Sequence, residues 1–312
     1  MTAPASLAER VLSGEHGMIA RALTRVERRA PGTDVMLAEL HRRAGHAHVI
    51  GVTGPPGSGK STLVTAMAQE YRRAGRSVGI IAVDPSSVFT GGAILGDRIR
   101  MSTLSGDPGV FIRSLATRGA LGGLARAALD AVTVLDAAGW DVVVLETVGV
   151  GQAETDVISG AQSVAVVSVP GLGDSVQAIK AGLLEIADVH VVNKSDRDGA
   201  HRTVSELRDM LRLAKRQPGQ WNVPVEQTVA DRGSGVTALI ERFDEHLRWM
   251  ERNGERERRA RRAAGTRIRW AAEELVRDWL RPGTPAFDEA VDQVAEKHDD
   301  PATAARRLIG WT

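Results

Sequence analysis

The hydrophobic rhythm of the chain changes twice, dividing it into three zones. From Leu7 to about Ala44 the apolar residues Leu7, Val11, Leu12, Ile19, Leu23 and Val26, then Val35, Met36 and Leu40, recur at roughly helical spacing among arginines, which predicts a helical preface. From His46 to about His246 the pattern becomes short β-branched runs separated by amphipathic stretches: His48 to Thr53, Ser77 to Val83, Asp141 to Leu145, Ser163 to Val169, Val189 to Val192 and Val223 to Thr228. Runs of this kind belong to a mainly parallel sheet with helices on both faces, because a strand buried on both sides is apolar along its length. The predicted fold class is therefore α/β. Beyond it lies a charged tail, Glu255-Arg256-Glu257-Arg258-Arg259-Ala260-Arg261-Arg262, followed by Ile268, Ala271, Ala272, Leu275, Val276 and Trp279 at helical spacing. The expected divisions are an N-terminal helical extension over residues 1–45, a central α/β domain over 46–246 and a C-terminal helical arm over 247–312.

Composition narrows the classes of partner. The 312 residues carry 40 Lys and Arg against 39 Asp and Glu, so no global field draws the chain to nucleic acid or to an anionic membrane. Neither is expected as a partner, and the arginine run of the tail reads as a solvated face. The absence of cysteine removes disulfides, thiolate zinc sites and thiol catalysis together. No apolar run approaches the roughly 20 residues that span a bilayer. The first residues, interrupted by Glu9, Arg10 and Glu15, lack the apolar core of a signal peptide, so a cytoplasmic location is expected.

The candidate chemistry begins at Gly54-Pro55-Pro56-Gly57-Ser58-Gly59-Lys60-Ser61, which fits G-x-x-x-x-G-K-[ST] between an apolar strand and the helix-forming Thr62-Leu63-Val64-Thr65-Ala66-Met67-Ala68. Strand, glycine-rich turn and helix start converge backbone N–H groups and the positive end of the helix dipole on one point, which suits a nucleoside triphosphate. Lys60 would reach the β and γ phosphates, and the Ser61 hydroxyl would ligate a bridging Mg²⁺. Asp84 ends the second strand run and Glu146 the third, where ligands of open α/β sheets gather, so both carboxylates are expected near that metal. Asp97 follows the glycine-rich stretch Gly91-Gly92-Ala93-Ile94-Leu95-Gly96, and Gly149 can bring its N–H to the γ phosphate. Asn193-Lys194-Ser195-Asp196 follows the strand run Val189 to Val192 and fits N-K-x-D. An aspartate there accepts from the ring N–H and the amino group of guanine, whereas adenine offers no matching pair of donors. GTP is accordingly expected over ATP.

These motifs, with Val83-Asp84-Pro85-Ser86-Ser87, Gly92-Ala93-Ile94-Leu95-Gly96-Asp97-Arg98-Ile99-Arg100-Met101, Phe111-Ile112-Arg113, Arg118-Gly119, Leu121-Gly122-Gly123 and Glu146-Thr147-Val148-Gly149-Val150-Gly151-Gln152, occur in order along the chain. Together they resemble the MeaB/ArgK (methylmalonic aciduria type A protein) family of P-loop GTPases, over about Leu7 to Arg281. The resemblance implies a P-loop NTPase fold and a homodimeric GTPase metallochaperone, with the C-terminal arm as the dimerisation element. Such a protein docks on an adenosylcobalamin-dependent acyl-CoA mutase, gating cofactor delivery and protecting the mutase. The cobalamin adenosyltransferase is a further implied partner.

By matching motifs, the resemblance places Ser61, Asp84, Asp97 and Glu146 around Mg²⁺, and Gly54 to Thr62 with Gly149 around the phosphates of GTP or GDP. Asn193, Lys194 and Asp196 fall at the base, with Ala230 of Thr228-Val229-Ala230-Asp231 standing where the family has a Ser-Ala loop. Pro170 to Lys180 resembles the family's third switch, in which Asp174 and Gln177 respond to the partner and Lys180 turns toward the phosphates. Lys60, Asp97 and Lys180 are the implied catalytic residues. Ser175-Val176 departs from the Glu-Leu that many relatives carry there.

Two other functions fit a phosphate-binding loop: an ATPase or kinase linked to basic amino-acid transport, and a nickel-handling GTPase. N-K-x-D opposes the first, and 8 scattered histidines without cysteine oppose the second. Asp188-Val189-His190-Val191-Val192 begins like the D-x-H-x-x-G pattern of cobalamin-binding mutases, but Asn193 stands at the glycine. His190 is expected buried and hydrogen-bonded in a strand, with no cobalamin ligation.

Overall fold

A computed structural model of the chain describes residues 5–84, 101–104, 106–116, 121–147, 158, 160–171, 184–213 and 219–311; of Asp84, Ser102, Ala116, residues 121–124 and Leu184 it describes the backbone alone. The chain divides into two compact units, Met1–Arg259 and Ala260–Thr312.

The first unit is built on seven parallel strands: β1 (His48–Thr53), β2 (Val78–Asp84), β3 (Val110–Ala116), β4 (Val142–Thr147), β5 (Ser163–Ser168), β6 (Val189–Asn193) and β7 (Val225–Thr228). Their order across the sheet is β3-β2-β4-β1-β5-β6-β7. Every residue of β1, β4, β5 and β6 is buried, which is the physical reason these strands read as unbroken apolar runs. β3 is the strand that hydrophobic patterning does not single out, because Arg113 interrupts it. The guanidinium is held by Glu27 and by Thr24 Oγ1 at 3.3 Å, so a charge in an edge strand is neutralised by the helical preface.

Helices α1 (Leu7–Leu12), α2 (His16–Arg28) and α3 (Thr33–His41) form that preface, and α1 starts in a capping box between Ser6 and Glu9. They pack on α5 (Leu121–Ala137), which covers one face of the sheet; the other face is covered by α4 (Lys60–Arg73) and α7 (Val236–Arg252). Tyr71, Phe243, Leu63, Met67, Ile50 and Ile80 are fully buried in this second layer. Helix α6 (Ala200–Leu213) lays Val204, Leu207 and Leu211 against Val192 and Val225. The chain leaves the central β1 to one side for β2, β3 and β4 and to the other for β5, β6 and β7. The carboxyl ends of β1, β4, β5 and β6 thus surround the point where strand order reverses, where ligands of doubly wound sheets bind.

At the opposite, amino-terminal end of the sheet lies a largely buried polar network. Ser163 Oγ sits 2.8 Å from both His48 Nε2 and His246 Nδ1. Asp188 accepts the Val164 N–H at 2.9 Å, lies 3.3 Å from His246 Nε2 and takes both Nη atoms of Arg259 at 2.7 Å. Arg259 therefore departs from the solvated arginine face expected of this run. Its guanidinium closes the charge of a nearly buried carboxylate.

Helix α8 (Glu255–Trp279) carries the chain out of the first unit. Within the second unit, α9 (Pro285–Ala295) and α10 (Pro301–Ile309) bury Ala290 and Ala304, while Asp300 caps α10 by accepting the Ala302 and Thr303 N–H groups. Trp279 Nε1 donates to the Leu308 carbonyl at 3.0 Å, yet Ile268, Leu275 and the Trp279 ring remain exposed. Among the described residues no helix is long and apolar enough to cross a membrane.

Candidate functional site: a phosphate-binding loop tied to the loops after β6 and β7

The loop from Gly54 to Ser61 leaves the end of β1 and enters α4 at Lys60. Two of its glycines are required by shape. Gly54 has φ +149°, and a Cβ there would lie 2.2 Å from the Val167 carbonyl oxygen; Gly59 has φ +85°, with its Cβ position 2.5 Å from Asn193 Nδ2. Pro56 and Gly57 are exposed at the crown, Ser58 is fully buried beneath it, and Thr62 is exposed in the first turn of α4. Lys60 is buried, and its ammonium donates to the carbonyls of Gly54 at 2.9 Å and Pro55 at 3.1 Å. The first N–H groups of α4 have no acceptor within the helix, so the loop and helix start present an anion cradle.

Register sets where the carboxylate of β4 stands. Val52 pairs with Glu146 across β1 and β4, and Ala82 pairs with Glu146 across β2, so the carboxylate ends its strand beside the loop. Glu146 is buried, and Ser61 Oγ donates to its Oε1 at 2.6 Å. A hydroxyl and a carboxylate in contact are hard oxygen donors, which fit Mg²⁺, an ion commonly held by one or two carboxylates plus phosphate oxygens. The Asp84 backbone stands at the end of β2, opposite Ala116 of β3. Asp97, Gly149, Asp174, Gln177 and Lys180 lie outside the described residues. Among the described residues no group of three or more His, Cys, Asp or Glu could hold a metal by itself.

Beside the loop lies a ring of hydrogen bonds around Asn193. Asn193 Nδ2 donates to the Ser58 carbonyl at 2.9 Å, while its Oδ1 accepts from Thr228 Oγ1 at 3.1 Å and from the Ala230 N–H at 3.2 Å. Lys194, in a left-handed conformation with φ 55°, reaches the Gly57 carbonyl with its ammonium at 2.8 Å. Asn193 thus ties the phosphate loop to the turn after β7, and Lys194 ties it to the loop after β6. Asp196 is exposed nearby, with Arg232 Nη2 at 3.7 Å from its Oδ2. Thr228 is a partner of Asn193 that the motif reading left unassigned; its signal was an uncharged hydroxyl at the buried end of a strand, two residues before Ala230. His190 is buried as expected, but neither ring nitrogen has a hydrogen-bond partner among the described residues, which corrects the expectation of a hydrogen-bonded histidine. Its strand neighbours Val166 and Val225 offer no side-chain acceptor, and burial pushes it down to about 4.

A parallel sheet, a phosphate loop opening a helix, and a carboxylate on the serine that follows the loop lysine together define a P-loop nucleoside triphosphatase. Comparison with known proteins gives the family: residues 19–283 match the model for the methylmalonyl-CoA mutase-associated GTPase MeaB, and the chain belongs to that family. A Pyrococcus horikoshii protein that carries a GTPase name is 46% identical over 305 residues, covering 97% of this chain and 96% of its own. The GTPase ArgK of Escherichia coli is 41% identical over 228 residues, covering 70% of this chain and 69% of its own. Among solved structures, a LAO/AO transport system kinase superposes with a TM-score of 0.72 at 27% identity, covering 100% of this chain and 99% of its own. The protein is accordingly a GTP hydrolase that binds guanine nucleotide.

Proposed function

We propose that the chain is a GTPase metallochaperone that gates adenosylcobalamin delivery to an adenosylcobalamin-dependent acyl-CoA mutase and protects that mutase, with GTP hydrolysis as the timing step. Support comes from the family description, which names methylmalonyl-CoA mutase, and from one observation above the rest. Asn193 is bonded both to the phosphate loop at Ser58 and to the base turn at Thr228 and Ala230, so either end of a guanine nucleotide acts on one connected body.

In this reading Gly54 to Thr62, with Gly149, receive the phosphates, and Asp196 accepts the two guanine donors while Ala230 flanks the base. Ser61, Asp84, Asp97 and Glu146 would hold Mg²⁺, which supplies neutralisation of phosphate charge when bound. Lys60 exchanges its contacts with the Gly54 and Pro55 carbonyls for phosphate oxygens. Lys180 would neutralise charge that grows on the γ phosphate, and Asp97, among the residues that would hold the metal, would orient the attacking water. Asp174 and Gln177 carry the state of the site to the partner. Residues 247–312 supply the homodimer contact, for which exposed Ile268, Leu275 and Trp279 provide apolar surface. The cobalamin adenosyltransferase is the donor from which cofactor is passed.

The test is GTP turnover with and without a methylmalonyl-CoA mutase from the same source. Faster turnover in its presence, with co-elution of the two proteins, is expected. An unchanged rate together with separate elution would remove the mutase from the account.

A further inference from the structure

The base-binding turn carries a cation that the nucleotide site has not yet used. Asp196 and Arg232 come from different loops, one after β6 and one on the 3₁₀ turn Ala230–Arg232 after β7. Both loops are fixed by their backbones. The Ser195 N–H donates to the Thr228 carbonyl at 3.1 Å, the Arg232 N–H to the Val229 carbonyl at 3.0 Å, and the Val229 N–H to the Ser234 carbonyl at 3.0 Å. The turn then closes at Gly235, where φ is +77° and a Cβ would lie 2.0 Å from the Gln227 carbonyl oxygen. What remains free is the rotation of the Asp196 carboxylate itself. Lys194 is one cation in this loop, and its ammonium is directed to the Gly57 carbonyl. Among the described residues, the group within ion-pair distance of Asp196 is Arg232, at 3.7 Å.

We propose that Arg232 is a positioning residue for purine specificity: by drawing one oxygen of Asp196, it sets the rotation in which both oxygens face the base edge. A carboxylate has about four lone-pair sites, so the oxygen beside Arg232 still accepts a donor from the base. Guanine needs both oxygens, one for its ring N–H and one for its amino group. Hypoxanthine has the ring N–H and lacks the amino group, so one oxygen in many rotations satisfies it. Loss of Arg232 therefore weakens guanine more than hypoxanthine.

This inference rests on the reading of Asp196 as the guanine acceptor, and the experiment separates the two. Dissociation constants for GDP and for inosine diphosphate are measured on the full chain, on Arg232→Ala, on Arg232→Lys and on Asp196→Asn, at low and at high salt. Arg232 is 71% exposed, so its replacement leaves the fold intact. The preference for GDP should fall about threefold in Arg232→Ala, the order that an exposed ion pair carries, and recover in Arg232→Lys. High salt should move the unaltered chain toward Arg232→Ala, because exposed charges are screened. Equal weakening of both nucleotides, or an unchanged preference, in Arg232→Ala while Asp196→Asn abolishes the preference would overturn the role of Arg232 alone. An unchanged preference in Asp196→Asn would overturn the guanine-acceptor reading, and the positioning role with it.

Discussion

The side-chain amide of Asn193 donates to the carbonyl of Ser58 at 2.9 Å, joining the end of β6 to the floor of the phosphate loop. The same side chain accepts from Thr228 Oγ1 and the Ala230 N–H, so three buried polar groups depend on one residue. Asn193→Ala leaves all three without their partner. Each such group costs about 1–3 kcal/mol when buried and unpaired, and the costs do not add fully. A stability loss of about 3 kcal/mol is expected in urea denaturation, together with weakened GDP binding; a loss below about 1 kcal/mol would mean that the ring does not hold the two loops.

The two glycines of the loop that face obstacles should differ in severity. A Cβ at Gly54 meets a backbone carbonyl at 2.2 Å, whereas one at Gly59 meets the movable amide of Asn193 at 2.5 Å. Backbone cannot yield, but Asn193 can rotate, so Gly54→Ala is expected to unfold at a lower temperature than Gly59→Ala. Gly59→Ala should keep more of its fold while losing nucleotide affinity, because the amide that yields belongs to the ring. Thermal unfolding with and without GDP reads both, and the reverse order would contradict the geometry.

Ser61 and Glu146 meet at 2.6 Å, and their pairing predicts a metal-dependent phenotype. Ser61→Ala removes the hydroxyl and leaves Glu146 as a buried carboxylate without that donor. In the proposed site the Ser61 oxygen is a ligand of Mg²⁺, so the gain in GTP affinity on adding Mg²⁺ should shrink by about tenfold, or ~1.4 kcal/mol, in Ser61→Ala. Titration with and without chelator checks this. A gain equal to that of the unaltered chain would place the metal away from Ser61.

Three histidines predict a loss of stability in mild acid. Burial is the first cause holding each of them down: His48 to about 3, His190 to about 4 and His246 to about 4, the last against the opposing pull of Asp188. The unfolded chain takes up protons on all three near pH 6.5, while the folded chain does not until near pH 4 at His190 and His246 and near pH 3 at His48. Stability is therefore full above pH 6.5 and falls as pH drops toward the folded values, by up to about 1.4 kcal/mol per pH unit for each histidine. His190 makes no hydrogen bond among the described residues, so His190→Leu should flatten this slope by one proton. Denaturation midpoints between pH 7 and pH 5 measure it, and an unaltered slope would contradict the buried, neutral assignment.

The parallel sheet and the glycine-rich loop between β1 and α4 were readable from sequence because each is local. A strand buried on both faces declares itself in four to six consecutive residues, and the phosphate loop in eight. β3 was not singled out because Arg113 breaks its pattern, and only the packing of α2 reveals Glu27 as the reason a charge is tolerated there. The network of His48, Ser163, Asp188, His246 and Arg259 was equally hidden, since its members are scattered from β1 to α8 and meet only when the strands align. Arg259 looked like one more solvated charge in a run of arginines; its partner lies 71 residues earlier. Beside the phosphate loop, motif spacing singled out Asn193 but not the direction of its bonds, so the contacts of Thr228 and Arg232 emerged only from geometry.

The central claim is that nucleotide state is communicated to a mutase, and coupling requires that the mutase bind one state more tightly than the other. The most direct measurement is the dissociation constant of the complex with methylmalonyl-CoA mutase, determined once with GDP and once with a non-hydrolysable GTP analogue, each with Mg²⁺. The account predicts constants that differ by about fivefold or more, the lower end of typical allosteric coupling. Equal constants in the two states would contradict it.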